Sequence, residues 1–252
     1  MPRPKDMVFT VTGGASGIGL ATARLIVERG GTVCIGDVDT SALEKAEVEF
    51  SSKSSPYSVT RIDVSQKAEV DDWIADCVAK FGRLDGAANI AGVTGKDHGQ
   101  KAVRDQDDGE WHKIIGVNLT GMMYCLRAQL RVIEDRASIV NMTSIHGHRG
   151  MANYAAYSAS KHGVIGLTEA AAQENGHREV RVNAVAPGPI YTPMMQKHWD
   201  MTGRPASAPF DDPVAFPRQG TPEEVANVVL FLLGPESSFV SGSCYDVDGA
   251  WT

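Results

Sequence analysis

The chain has 252 residues, 42% of them hydrophobic and 22% charged, enough apolar material for one substantial core and a common size for a single α/β domain. Its formal net charge of −7 argues against a nucleic-acid or anionic-membrane surface, and no apolar run reaches the length of a membrane span. Four scattered cysteines (Cys34, Cys77, Cys125, Cys244), with no CxxC pair and no histidine at ligand spacing, read as small buried apolar residues in a reducing compartment rather than as disulfides or a zinc site.

Residues 1–6 run almost straight into the first apolar stretch, which leaves no room for a signal peptide and points to the cytoplasm. Residues 7–11 are mostly β-branched or large and predict a strand. The turn Thr12-Gly13-Gly14-Ala15-Ser16-Gly17-Ile18-Gly19 follows, then apolar residues at helical spacing over 20–29, closed by Gly30-Gly31. Strand, glycine turn and helix make the first half of a dinucleotide-binding βαβ unit. Gly13, Ser16, Gly17, Ile18 and Gly19 would let the backbone lie against a pyrophosphate facing the helix N-terminus. A second strand over 32–36 ends in Asp37, 18 residues after Gly19, where a carboxylate can accept hydrogen bonds from an adenosine ribose diol. A 2′-phosphate would meet a like charge there. Val38 and Asp39 follow and the glycine loop holds no basic residue, so NAD is preferred over NADP.

Further along, a polar helix over 41–51, a strand over 57–62 and a helix over 67–81 are predicted, the last stopped by Gly82. A strand over 84–90 follows. Residues 94–109 are polar and aperiodic and read as a surface loop. One long helix is expected over 110–134, a strand over 137–142, a helix over 154–174 and a strand over 180–186. Residues 192–220, rich in proline, read as a long loop of the lid or binding kind. Thr221-Pro222-Glu223-Glu224 opens a last helix running to Leu233, and a seventh strand covers 244–247. Strands alternating with helices imply right-handed crossovers and a seven-stranded parallel sheet with helices on both faces, a Rossmann fold in one domain spanning 1–252.

Two features converge on the carboxyl edge of that sheet. Ser144 ends the fifth strand, and Tyr157 and Lys161 lie four residues apart on one face of the next helix. A free tyrosine titrates near about 10. An ammonium beside it favours the phenolate, so Lys161 is expected to lower that value and fit Tyr157 for acid–base work on an alcohol or carbonyl oxygen held by Ser144. Tyr154 lacks such a lysine and reads as packing or substrate contact. His146 and His148 are either cleft-lining or ordinary loop histidines, and two histidines in one turn make no metal site without carboxylate or cysteine partners. Met194, Met195, Trp199, Met201 and Phe210 form either a lid over a bulky apolar substrate or a loop folded on its own side chains. Trp251 either packs or reaches a neighbouring subunit.

These motifs, in this order, resemble the classical short-chain dehydrogenases/reductases over essentially the whole chain. Residues 12–19 resemble the family's TGxxxGxG loop, Asp63-Val64 its adenine-contacting pair, and Asn89-Ile90-Ala91-Gly92 its NNAG element, with Ile90 in place of the second Asn. Asn118, Ser144, Tyr157 and Lys161 fall on the catalytic tetrad, with the family's spacing of 13 residues between Ser144 and Tyr157. Pro187, Gly188, Ile190 and Thr192 fall on the segment that holds the nicotinamide end. The resemblance implies an NAD-dependent oxidoreductase acting on a secondary alcohol or ketone. Tyr157 would transfer the proton, Ser144 position the oxygen, Lys161 also bind the nicotinamide ribose, and Asn118 hold a water linking Lys161 to solvent. It also implies a homo-oligomer, a dimer or tetramer, pairing through helices such as 110–134 and 154–174. A cofactor-binding sensor, or a non-redox enzyme on the same fold, is the alternative.

Overall fold

In the computed structural model, residues 7–204 and 210–251 are described. Residues 1–6, on which the reading of the N-terminus rests, lie outside them, as do 205–209 and 252. The apolar run Val8–Thr12 is buried along its whole length and forms β1, the strand from which the sheet grows in both directions. The chain leaves it through α1 (Gly17–Glu28), β2 (Thr32–Asp37), α2 (Thr40–Ser51) and β3 (Tyr57–Arg61) on one side. It then crosses through α3 (Lys67–Phe81) to β4 (Gly86–Asn89) on the other side of β1. From there α4 (Asp108–Ile115), α5 (Met122–Val132), β5 (Ser138–Met142), α6 (Ala155–Glu174), β6 (Arg181–Pro187), α7 (Pro193–Thr202), α8 (Pro222–Leu233) and β7 (Cys244–Val247) complete it.

The sheet order is β3-β2-β1-β4-β5-β6-β7, and every pairing is parallel. α1, α2 and α8 cover one face, and α3, α5 and α6 the other. Both faces being covered, β1, β4, β5 and β6 are buried at every residue and show no polar alternation. The winding reverses between β1 and β4, and a crevice opens there at the strands' carboxyl ends.

Two expected elements differ. The helix expected over 110–134 is interrupted: α4 starts at the cap of Asp107, whose carboxylate accepts the Glu110 N–H, and residues Gly116–Gly121 form a π-turn before α5. Gly121 permits this close passage, since a Cβ there would stand 2.9 Å from the Val64 carbonyl. The expected loop over 192–220 contains the helix α7. Thr192 caps it by accepting the Met195 N–H, Pro193 starts it, and Gly203 ends it at φ +69°. These are ordinary start and stop signals, hidden by the surrounding prolines.

Under the crevice lies a fully buried polar network. The Asn89 and Gln129 side-chain amides bond reciprocally at 2.9 and 2.8 Å, and Asn89 Nδ2 also donates to Asn141 Oδ1. Asn141 Nδ2 donates to Thr168 Oγ1, and Gln129 Nε2 reaches Thr10 Oγ1 at 3.4 Å. β1, β4, β5, α5 and α6 are thereby fastened at one level. Leaving such groups unpaired in the interior costs about 1–3 kcal/mol each. Asn89→Leu should therefore lower the unfolding free energy by about 2–5 kcal/mol in urea titrations, and a loss below about 0.5 kcal/mol, the scale of a surface substitution, would show the network to be dispensable.

Candidate active site

The crevice is a cavity of about 660 Å³ running from Asp37 and Asp63 past the glycine turn to Ser144 and Tyr157. At the turn, Gly13 has φ +65°, and a Cβ on it would lie 2.9 Å from the Ala91 backbone. A Cβ on Gly19 would lie 2.0 Å from the Gly13 carbonyl, so only glycine lets α1 begin this close to β1. The Thr12 hydroxyl accepts the N–H groups of Ile90 and Ala91, clasping the end of β4 to the turn. Ser16 precedes α1 without making a side-chain capping bond, and no acidic residue occupies that helix's first turn. An uncapped helix N-terminus opening on a cavity beside close backbone is a fit for a pyrophosphate. Asp37 Oδ2 accepts the Ala15 N–H and Oδ1 the Asp39 N–H, which fixes the carboxylate at the rim while leaving lone pairs for further donors.

Sixteen of the residues named in these motifs line this one cavity: Gly13, Ser16, Gly17, Ile18, Gly19, Asp37, Asp63, Val64, Ala91, Gly92, Tyr157, Lys161, Pro187, Gly188, Ile190 and Thr192. Asn89 does not reach it, because its amide is spent on the buried network. Asn118 does not line it either. Its amide pairs with both backbone groups of Val93, at 2.8 and 2.9 Å, and donates to Ser160 Oγ, so the side chain pins the chain after Gly92.

The Lys161 Nζ donates to the Met142 carbonyl at 2.9 Å and stands 5.5 Å from the centre of the Tyr157 ring. Burial pushes this amine down to about 8. Burial likewise pushes the Tyr157 phenol up to about 12, with a hydrogen bond from Ser144 acting in the opposite direction. The lysine was expected to lower the phenol. Instead desolvation is the larger effect on the phenol, while Nζ donates to a strand-end carbonyl.

Beyond Tyr157 the cavity is walled by aromatic rings, of which His98 and His198 were marked by neither periodicity nor motif. His98 from the loop after β4 lies edge-on to Tyr157 at 5.0 Å and to Tyr154 at 4.5 Å, and His146 is edge-on to Tyr157 at 5.4 Å. His198, on α7, meets His98 at 5.2 Å. Burial, then the neighbouring imidazoles His198 and His146, hold His98 at about 3. Burial, then His162, holds His146 at about 4. Both rings are neutral at neutral pH. Their signal in the sequence was only that His98 and His198 are histidines in segments without period. The two histidines of the turn after Ser144 part company: His146 lines the cavity, whereas His148 turns to β7. Met194, Met195 and Trp199 of α7 line it, while Met201 and Phe210 do not. Trp251 pairs with Val214 and lines this chain's own cavity. Of the four cysteines, Cys34, Cys77 and Cys125 are buried as expected, but Cys244 is half-exposed beside His148.

A family model described as enoyl-(acyl carrier protein) reductase matches residues 13–252. The chain is 66% identical over 245 residues to the short-chain dehydrogenase/reductase ABA4 of Pyricularia oryzae, covering 97% of this chain and 91% of that protein. It is 35% identical over 249 residues to a cyclohexanol dehydrogenase of an Acinetobacter species, covering 98% and 95% of the two. The crystal structure of a levodione reductase superposes with a TM-score of 0.88 at 35% identity, covering 97% of each chain. Parallel winding, glycine turn and Ser144–Tyr157–Lys161 constellation agree with these likenesses: the chain is an oxidoreductase of the short-chain dehydrogenase/reductase family.

Proposed function

We propose that the protein moves a hydride between NAD and a ring-borne secondary alcohol or its ketone, with Tyr157 as the acid and base. The observation that carries this reading is the meeting of Ser144, Tyr157 and Lys161 in the cavity whose far end holds the glycine turn and Asp37. When bound, the nicotinamide supplies or accepts the hydride. Gly13, Ser16, Gly17, Ile18 and Gly19 would hold its pyrophosphate, Asp37 the adenosine ribose, and Ile190 and Thr192 the carboxamide end. Asp37 makes the reading NAD rather than NADP, since a 2′-phosphate would stand against a fixed carboxylate.

Ser144 holds the substrate oxygen and Tyr157 exchanges the proton with it. Lys161, predominantly an ammonium at neutral pH, offsets part of the cost of a phenolate in a buried site. Asn118, by pinning Val93, keeps Gly92 against Lys161; a Cβ on Gly92 would stand 3.5 Å from Nζ. Neutral imidazoles, methionines and Trp199 around the reacting oxygen suit a bulky, weakly polar ring, and the cyclohexanol dehydrogenase likeness agrees with a cyclic secondary alcohol. We take the chain as one domain and the protein as a cytoplasmic homo-oligomer, dimer or tetramer, which the four unpaired cysteines and the exposed apolar side chains of Phe231 and Phe239 support. Among the described residues no helix is long and apolar enough to cross a membrane.

Tyr157→Phe should cut turnover of cyclic secondary alcohols by about 10²–10⁴-fold while NADH binding changes little; near-normal turnover would sink the proton-transfer role. For Asp37→Ala, the ratio of kcat/KM with NAD to that with NADP should drop at least about tenfold, the equivalent of about 1.4 kcal/mol; an unchanged ratio removes the carboxylate from cofactor choice. Lys161 also predicts a pH dependence. Its folded-state value of about 8 lies below the roughly 10.4 of an unfolded chain, so the unfolded chain binds more protons between those values and stability rises with pH there. Relative to Lys161→Met, the wild type should gain about 2 kcal/mol between about pH 8 and pH 10 in denaturant titrations. Parallel curves would contradict the burial of a titrating amine.

A further inference from the structure

The turn Ile145–Gly147 that follows Ser144 sends His148 away from the cavity and onto the sheet's edge strand. Cys244 and Asp246 are two residues apart on β7 and so share one face of it, while Tyr245 and Val247 on the other face pack into the core. The His148 Nε2 stands 3.0 Å from Asp246 Oδ1 and 3.4 Å from Cys244 Sγ, and the three donor atoms all lie within 4.8 Å of one another. A single Nε2–H satisfies only one of the two neighbours that converge on it. Glu169 of α6 is close enough to be felt at the sulfur and adds a second negative charge.

Tetrahedral zinc with ligand bonds of about 2.0–2.3 Å holds its donor atoms about 3.3–3.7 Å apart, so these side chains need only small adjustments to enclose one. Imidazole nitrogen, thiolate sulfur and carboxylate oxygen together suit a borderline-soft ion, whereas Mg²⁺ and Ca²⁺ take oxygen ligands throughout. We propose that His148, Cys244 and Asp246 form a zinc-class divalent-metal site with an open fourth position, outside the hydride-transfer cavity, which none of the three lines. An ion there ties the turn carrying Ser144 and His146 to β7. The site is independent of the reading of the cavity.

The test uses the full chain, stripped with chelator and titrated with Co²⁺, with Zn²⁺ as competitor. One equivalent of Co²⁺ should give a sulfur-to-cobalt charge-transfer band that Zn²⁺ abolishes, and Zn²⁺ should raise the melting temperature. Because the other three cysteines are buried, Cys244→Ser should remove the band. His148→Gln and Asp246→Asn should each weaken Co²⁺ binding by more than about tenfold, at least the loss seen when an outer partner of a metal ligand is removed. The metal-free melting temperature of each variant reports its folding. If Cys244→Ser is destabilised, Co²⁺ affinity in the variants at the two exposed positions decides. No thiolate band in the wild type, or affinity unchanged in both His148→Gln and Asp246→Asn, overturns the proposal.

Discussion

Lys161 extends from α6 to the end of β5, where its ammonium has the Met142 carbonyl at 2.9 Å and almost no solvent. An amine held like that is costly, and its surroundings are what make it tolerable. The Thr143 hydroxyl donates to the Lys161 carbonyl and fixes the helix against the strand end. Gly92 leaves room for Nζ and for the Asn118 amide, and Asn118, within the π-turn, bonds to both backbone groups of Val93. The ends of β4 and β5, the π-turn and α6 therefore close around one charge. Tyr157, half-buried on the cavity wall, is also desolvated, so the phenol starts high and the amine starts low. Tyr157 and Lys161 are thus a pair whose desolvation disfavours the charged form of each, with Ser144 on the same cavity.

The features legible in the chain are those written locally. The glycine turn, Asp37 at a strand tip and the Tyr157–Lys161 spacing each lie within a few residues of the structure that gives them meaning, and the structure brings all of them to one cavity. The parallel pairing followed from alternation and handedness. Two things misled. Apolar spacing over 110–134 is continuous, but the break within it comes from Gly121 meeting Val64, a contact that no helical period encodes. Prolines around 193–213 outweighed the cap, the first-turn proline and the terminal glycine that delimit α7.

The remaining differences are tertiary by nature. Asn89 matches a motif at the cavity, yet its partners, Gln129 and Asn141, lie 40 and 52 residues away and turn it inward. His98 and His198 meet from separate segments, His98 lying edge-on to Tyr157. Cys244 had no histidine at ligand spacing along the chain, and the fold supplies one from 96 residues away. One short turn thus serves two directions, His146 inward and His148 outward, because an irregular segment between β5 and α6 can face both the crevice and the edge of the sheet.

The Asn89–Gln129–Asn141–Thr168 lattice has a further consequence for how the molecule breathes. Its hydrogen bonds join strands and helices far apart in sequence, so no one of those elements can detach without breaking bonds to the others. Amide protons of β1, β4, β5, α5 and α6 should therefore exchange with solvent as one slow cooperative unit, last to open. β3 and β7 are edge strands, each paired along one side, and α7 is partly exposed along its length, so these segments open at lower free energy. Ser144, Tyr157 and Lys161 follow or sit on the slow unit, while α7, which gives Met194, Met195 and Trp199 to the cavity wall, belongs to the faster one. Local opening at α7 would leave Ser144, Tyr157 and Lys161 in register on the slow unit.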